Sequence, residues 1–200
     1  MKAYRFPEYD TPVDVGCRVA VIGGGNVAMD SARSAIRLGA AEVTVVYRRT
    51  EKEMPARRDE VAHAGEEGVS FRLLEAPVGF SGDEKGHVRE MTLIKNTLGE
   101  PDKSGRRRPV PVEGSEEKMR VDTVIMAIGS GANPLFLRTA DDLELTGRGY
   151  IRTGDDCSTN LSGVFAGGDI VTGSATVIAA IGAGKRAARS MDRYMRDRER

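Results

Sequence analysis

Val19-Ala20-Val21-Ile22-Gly23-Gly24-Gly25-Asn26-Val27-Ala28-Met29-Asp30 joins an apolar run to a small-residue helix through three consecutive glycines, and this join decides the fold. Gly23 and Gly25 let a strand turn sharply into a helix, and with Gly24 they let anionic phosphates approach the unpaired amides of the first helical turn. Ala28 stands in the third fingerprint position and keeps the helix close to the sheet, and Ala32 and Ala35 continue that small face. The pattern predicts a helix over residues 26–38, with Gly39 as a left-handed stop. Glu42 to Tyr47 then alternates little and is rich in Val, as a strand buried on both faces does.

The residues after that strand choose the ligand. A carboxylate there would accept hydrogen bonds from the ribose diol of NAD, whereas a guanidinium can pair with the additional phosphate of NADP. Arg48-Arg49 occupy this point, 25 residues after Gly23, and Arg57 and Arg58 return nearby at the next helix start. A solvated basic edge beside Glu51, Lys52 and Glu53 is the competing account. The coupling of arginines to the glycine turn favours a phosphate-binding role for at least one of Arg48 and Arg49. A methyltransferase would share the turn but would want an acidic residue at this position.

Composition narrows the remaining classes. The 200 residues are 40% apolar, and 30 basic side chains balance 30 acidic ones, which gives no general drive toward nucleic acid. Arg106-Arg107-Arg108 is a local basic spot that reads as a wet loop or edge guard. The chain holds no Trp and is 5% aromatic, so no stacking platform for single strands is expected. Cys17 and Cys157 are isolated, and His63 and His87 lack metal-ligand company; no catalytic constellation and no metal site is expected. Neither a membrane-crossing segment nor a secretory signal is read, so the expected setting is cytoplasmic.

Beyond Pro55 the pattern predicts a helix opened by that proline, with Val61, Ala62 and Gly65 as its inner stripe, closed by Gly68. Residues 69–74 read as a third parallel strand. After Pro77 come short strands near 78–81, 88–95 and 107–112, with a loop over 97–105, as in an antiparallel meander. Residues 122–129 return to a buried strand that ends at a glycine. Farther on, residues 159–169 combine a turn, a short apolar strand at Val164 to Ala166 and the acid of Gly167-Gly168-Asp169. A helix from Ala175 to about Arg196 follows. Asp169 could hold a sugar hydroxyl and the amides at the helix start could face an electron-rich ligand, or the motif is a turn with a helix-proximal acid.

The stretches Val21-Ile22-Gly23-Gly24-Gly25-Asn26-Val27-Ala28-Met29-Asp30, Tyr47-Arg48-Arg49 with Glu53-Met54-Pro55-Ala56, and Gly163-Val164-Phe165-Ala166-Gly167-Gly168-Asp169 resemble the NADPH-dependent glutamate synthase small-subunit family. That family belongs to the two-dinucleotide-binding flavoproteins and is similar to the reductase portion of dihydropyrimidine dehydrogenase. The resemblance covers nearly the whole chain. It implies an α/β fold: a linker approach over 1–14, a Rossmann-like NADP-binding domain with parallel sheet and antiparallel β-meander over 15–130, and the C-terminal part of an FAD-binding domain over 131–200. It implies that Gly23, Gly25, Asn26 and Val27 surround the NADPH pyrophosphate and that Arg48 and Arg49 surround the 2′-phosphate. Gly129 would stand at the junction of the domains, Gly168 and Asp169 near the FAD pyrophosphate and ribityl chain, and Ala175, Thr176 and Val177 beside the flavin ring. Hydride would pass from NADPH to FAD, and electrons onward through iron-sulfur centres to a glutamate synthase large subunit or another iron-sulfur acceptor.

The earlier glycine fingerprint and cysteine-rich region of that family are not found in residues 1–200, so the chain is expected to be a fragment or shortened homologue, with a complete NADP-type domain and only the last part of the FAD domain, that is not competent alone. Its C-terminal remnant, with Val177, Ile178, Ile181 and Ala188 on its apolar side, would pack on the first domain, pair with another chain as a homodimer, or remain partly mobile. A flavin-free dinucleotide-binding or regulatory module is the alternative function. A short dehydrogenase would need a Tyr-x-x-x-Lys pair, which the sequence lacks.

Overall fold

The structure is a computed structural model that describes residues 6–9, 12–102, 105–133, 139–140 and 142–198. The chain forms two compact units, Met1–Ile128 and Gly129–Arg200. Parts of the expected linker approach (residues 1–5, 10 and 11) and of the C-terminal segment (134–138, 141, 199 and 200) lie outside the described residues.

The first unit is built on four parallel strands: β1 (Arg18–Ile22), β2 (Glu42–Tyr47), β3 (Ser70–Leu73) and, far along the chain, β8 (Thr123–Met126). Their order is β3-β2-β1-β8. In register, Val21 lies opposite Val45 on one side and Ile125 on the other. The Val-rich runs suit strands covered on both faces. One cover is helical. Helix α1 (Asn26–Arg37) buries Ala28, Met29, Ala32 and Ala35, whose three- and four-residue spacing forms one stripe. Gly39 follows at φ 98°, the left-handed conformation expected of it. With α2 (Arg58–Glu66), these residues close a buried cluster over Val19, Val21, Val43 and Val45.

The second cover is the antiparallel meander: β4 (Glu75–Gly82), β5 (Val88–Pro101), β6 (Arg107–Pro111) and β7 (Glu117–Arg120). Strand β5 is long enough to pair with β4, β6 and β7. Its Met91 and Leu93, with Val121, pack beneath Ala20, Ile22 and Val46. Alternate residues of β1 thus face helices and meander. The starts of the neighbouring strands β1 and β8 are clipped together by Asp122, whose carboxylate accepts from the Arg18 amide at 2.8 Å and from its Nη2 at 2.9 Å.

Several boundaries differ from expectation. Helix α2 starts at Arg58 rather than Pro55, because residues 54–57 stay non-helical, with Ala56 bonded to the glycine turn; its inner stripe is Val61 and Ala64, while Ala62 and Gly65 are exposed. The expected loop over 97–105 is shorter, since pairing with β6 carries β5 through Pro101. Strand β7, absent from the sequence reading, is polar at three of four positions and is held by pairing with Glu90 to Leu93.

The second unit has little sheet. The expected strand at Val164 to Ala166 is only one bridge, Ser158 to Phe165, because no further strand lies beside it among the described residues. A short helix α3 (Asp169–Thr172) precedes α4 (Val177–Arg198). Ala183 and Ala187 are the buried residues of α4, so the small-residue stripe, not Val177, Ile178, Ile181 and Ala188, faces inward. These helices have the character of the end of an FAD-binding domain, and the whole is the α/β architecture expected.

Candidate functional site

The glycine turn sits at the carboxyl end of β1, where the next strand in sequence lies on one side and β8 on the other; open α/β sheets bind ligands at such reversal points. Two backbone bonds fasten it: the Gly23 amide donates to the Val46 carbonyl at 3.0 Å and the Ala127 amide to Ile22 at 2.8 Å. Gly23 has φ 145°, and a Cβ there would stand 2.3 Å from the Ala127 carbonyl oxygen. At Gly24 a Cβ would meet the Tyr47 ring at 2.7 Å. Gly25 caps α1 and accepts from the Ala28 amide at 2.9 Å. The amides of Asn26 and Val27 have no partner among the described residues, and the first turn of α1 carries no acidic side chain. That helix end is free to receive an anion.

The segment following β2 folds back over the turn. The Ala56 amide donates to the Gly24 carbonyl at 3.0 Å, the Arg57 amide to Asn26 Oδ1 at 2.9 Å, and the Tyr47 hydroxyl to the Glu53 carbonyl at 2.7 Å. Pro55 approaches Gly25. Within this segment Thr50 and Glu53 form a reciprocal cap, and the Thr50 hydroxyl chiefly holds the Glu53 carboxyl below its ordinary range. Asn26 therefore has two tasks, its amide toward the open end and its side chain tying down Arg57.

The three candidate arginines diverge. Arg48 is exposed. Arg49, 4% exposed, turns inward, donating from Nε to the Arg107 carbonyl at 2.6 Å and from Nη2 to Asp102 at 2.9 Å. Arg57 is exposed but pairs with Glu60 at 2.7 Å and Asp59 at 3.5 Å. Tyr47, Pro55 and Ala56 are contributors to the turn that sequence reasoning did not assign. The Tyr47 to Ala56 stretch stood in the sequence as a block without any pattern to say that it doubles back.

In the second unit, Gly168 has φ 81° and lies against α4, where a Cβ would stand 3.5 Å from that of Ala180. Asp169 begins α3 and is exposed. Thr176 Oγ1 accepts from the Ala179 amide at 3.2 Å, capping the start of α4. Ala175 and Val177 flank it, both exposed, and Gly129 begins the unit at φ 89° with open space around it. Among the described residues no helix is long and apolar enough to cross a membrane.

Known proteins with this sequence pattern are redox proteins of several kinds. The chain is 50% identical over 89% of its length to the NADP(+)-dependent formate dehydrogenase subunit beta of Moorella thermoacetica, 41% identical over 93% to the NADPH-Fe(3+) oxidoreductase subunit beta of Geobacter sulfurreducens, and 42% identical over 86% to the glutamate synthase [NADPH] small chain of Escherichia coli. It spans 25%, 31% and 38% of their respective lengths. The glutamate synthase likeness is thus one among several, and no single one dominates. In fold it is similar to Lactococcus lactis thioredoxin reductase (TM-score 0.71, 23% identity, 90% of this chain and 53% of that one) and to Mycobacterium tuberculosis FprA in complex with NADPH (TM-score 0.71, 19% identity, 92% and 54%). The model of pyridine nucleotide-disulphide oxidoreductases matches residues 2–184, and the chain belongs to that family.

Proposed function

We propose that this chain carries the NADP(H) site of a flavin-dependent oxidoreductase, as part of an assembly that sends electrons on to an iron-sulfur protein or a glutamate synthase large subunit. The observation that carries the reading is the pairing of two uncommitted amides at the start of α1 with the exposed guanidinium of Arg48 just beyond β2. Together they offer amide donors for a pyrophosphate and a planar cation for a further phosphate. The donor set therefore fits NADP, whose dihydro form supplies a hydride when bound and FAD its acceptor. The residues of this chain have other tasks: Gly23, Gly24 and Gly25 keep side chains out of the approach, Asn26 and Val27 present amides, and Asn26 holds Arg57 beside them. Arg57, committed to Glu60, contributes positive field more than a direct contact.

On the same reading Gly129, Gly168, Asp169, Ala175, Thr176 and Val177 line one side of an FAD site, with Asp169 as acceptor for hydroxyls. Support comes from the exposure of Asp169 and the capped start of α4. The exposed Val177, Ile178 and Ile181 give this unit an apolar edge through which self-association would run, and light scattering that finds only monomer removes that part.

Calorimetry with NADPH and with NADH tests the central claim. Preference for NADPH is expected, by about ten-fold or more if one charge-assisted contact is at stake. Equal affinity defeats it. Anaerobic spectra after addition of FAD and then NADPH test the flavin part: bound flavin that bleaches supports it, and no binding leaves a dinucleotide module.

A further inference from the structure

The two adjacent arginines after β2 are treated differently by the fold. Arg48 is exposed, whereas Arg49 is buried and spans to the hairpin between β5 and β6, with Nε on the Arg107 carbonyl at 2.6 Å and Nη2 on Asp102 Oδ2 at 2.9 Å. Asp102 is itself set by that hairpin: its amide donates to the Arg106 carbonyl at 2.7 Å, its carbonyl accepts from Gly105 at 2.9 Å, and its Oδ1 accepts from the Arg106 amide at 3.3 Å. The backbone of Arg49 is held as well, its carbonyl accepting from the Leu74 amide at 3.0 Å. The Leu74 carbonyl in turn accepts from Asn96 of β5 at 2.6 Å, and Leu74 adopts φ 57°, a conformation a leucine holds only when its surroundings impose it. A guanidinium this buried is costly unless its charge and donors are matched, and Asp102 and Arg107 match them.

We infer that Arg49 is a positioning residue that fixes the backbone presenting Arg48, and that the β5–β6 hairpin, through Asp102, is a specificity-determining part of the nucleotide site. This rests on the NADP(H) reading above and divides the arginine pair into one group that meets the phosphate and one that holds it in place. The meander then acts on coenzyme choice although it lies across the sheet from α1.

The opposite assignment, in which Arg49 itself binds phosphate, makes a prediction of opposite sign. Removing Asp102 would free a second cation and tighten NADPH. If Arg49 positions, the same change loosens the Arg48 backbone and weakens NADPH selectively. The test is calorimetry of the 200-residue chain and its D102A variant with NADPH and NADH separately. Expected is a fall of about three- to ten-fold in the NADPH-to-NADH affinity ratio with NADH affinity nearly unchanged, smaller than the loss on removing Arg48 itself, since a support is loosened and no contact deleted. A ratio that rises or stays constant overturns the inference, as does an equal loss of both nucleotides, which marks a merely structural pair. Should D102A fail to fold, D102N, which retains an acceptor but not the charge, is expected to give a smaller drop of the same sign, and an unmoved ratio is again decisive against. A wild-type chain without NADPH preference would sink the nucleotide reading first; preference with an unmoved ratio sinks only this one.

Discussion

The two units each contain a glycine turn leading to a helix, but they secure it by different means. In Met1–Ile128 the turn is inserted between backbone on one side and an aromatic ring on the other, within a sheet covered on both faces by buried clusters. In Gly129–Arg200 the buried apolar residues among those described are Leu143, Ile151, Cys157, Ala183 and Ala187, and the turn at Gly167 and Gly168 meets one helix, at Ala183 and Ala180, where added Cβ atoms would come no nearer than 3.1 Å. A Cβ forced to 2.3 Å from backbone leaves no room for adjustment, whereas one at 3.1 Å from a helix face can be relieved by a small shift of that helix. The same residue type therefore carries different constraint in the two places.

The widest gap should come from substituting these glycines. Gly23→Val adds a branched side chain where even a Cβ would stand 2.3 Å from a carbonyl oxygen, at φ 145°. A loss above about 4 kcal/mol is expected in urea unfolding, in the range reserved for steric and backbone conflict. Gly167→Ala brings a Cβ to 3.1 Å from that of Ala183 at an ordinary φ, and about 1 kcal/mol is expected, read locally by hydrogen exchange of the α4 amides. Comparable losses at the two sites would break the contrast between the units.

Legibility from sequence follows the same divide. Strand β2 spans Glu42–Tyr47 as read, and α1 ends one residue before the expected position, because burial on both faces and a small-residue stripe are periodic signals local to the chain. The polar strand β7 and the extension of β5 to Pro101 depend on partners distant in sequence, and no local period announces them. In the C-terminal unit, Val164-Phe165-Ala166 has the composition of a strand but, among the described residues, finds pairing only at the single Ser158 to Phe165 bridge. At the candidate site, the glycine turn was legible, but nothing local divided the arginine pair: the inward turn of Arg49 depends on Asp102, 53 residues away.

The Asp122 clip sharpens the account of the first unit at intermediate size. Its carboxyl is pulled from an ordinary value of 3.8 to about 2, first by the hydrogen bond from the Arg18 side chain and then by that from the Arg18 amide. A depressed carboxyl contributes stability fully present above its unfolded value, near 3.8, and lost as pH falls through about 2. Asp122→Asn should therefore cost about 1 kcal/mol at neutral pH, a modest figure because Arg18 is partly in water, and the difference from wild type should shrink between those two pH values. A difference that stays constant to the acid limit would show that geometry, not charge, ties β1 to β8.

The smallest effect belongs to the second unit, at the start of α4. Ile178 is 83% exposed, so replacing it removes almost no buried area, and packing alone predicts a change within about 0.5 kcal/mol for any polar substitute. The helix adds a sign. The first turn of α4 holds no acidic residue, and its amides carry partial positive charge, so Ile178→Glu should stabilise the helix and Ile178→Lys should destabilise it, by about 0.3–0.5 kcal/mol each. Exchange protection of the α4 amides at low salt, where the charge term is least screened, reads the pair. Opposite signs that converge on adding salt identify the helix field as the only force acting on this residue. A loss above about 1 kcal/mol for both variants would instead mean that Ile178 is buried in solution, and the contrast between a two-sided first unit and a one-sided second would have to be redrawn.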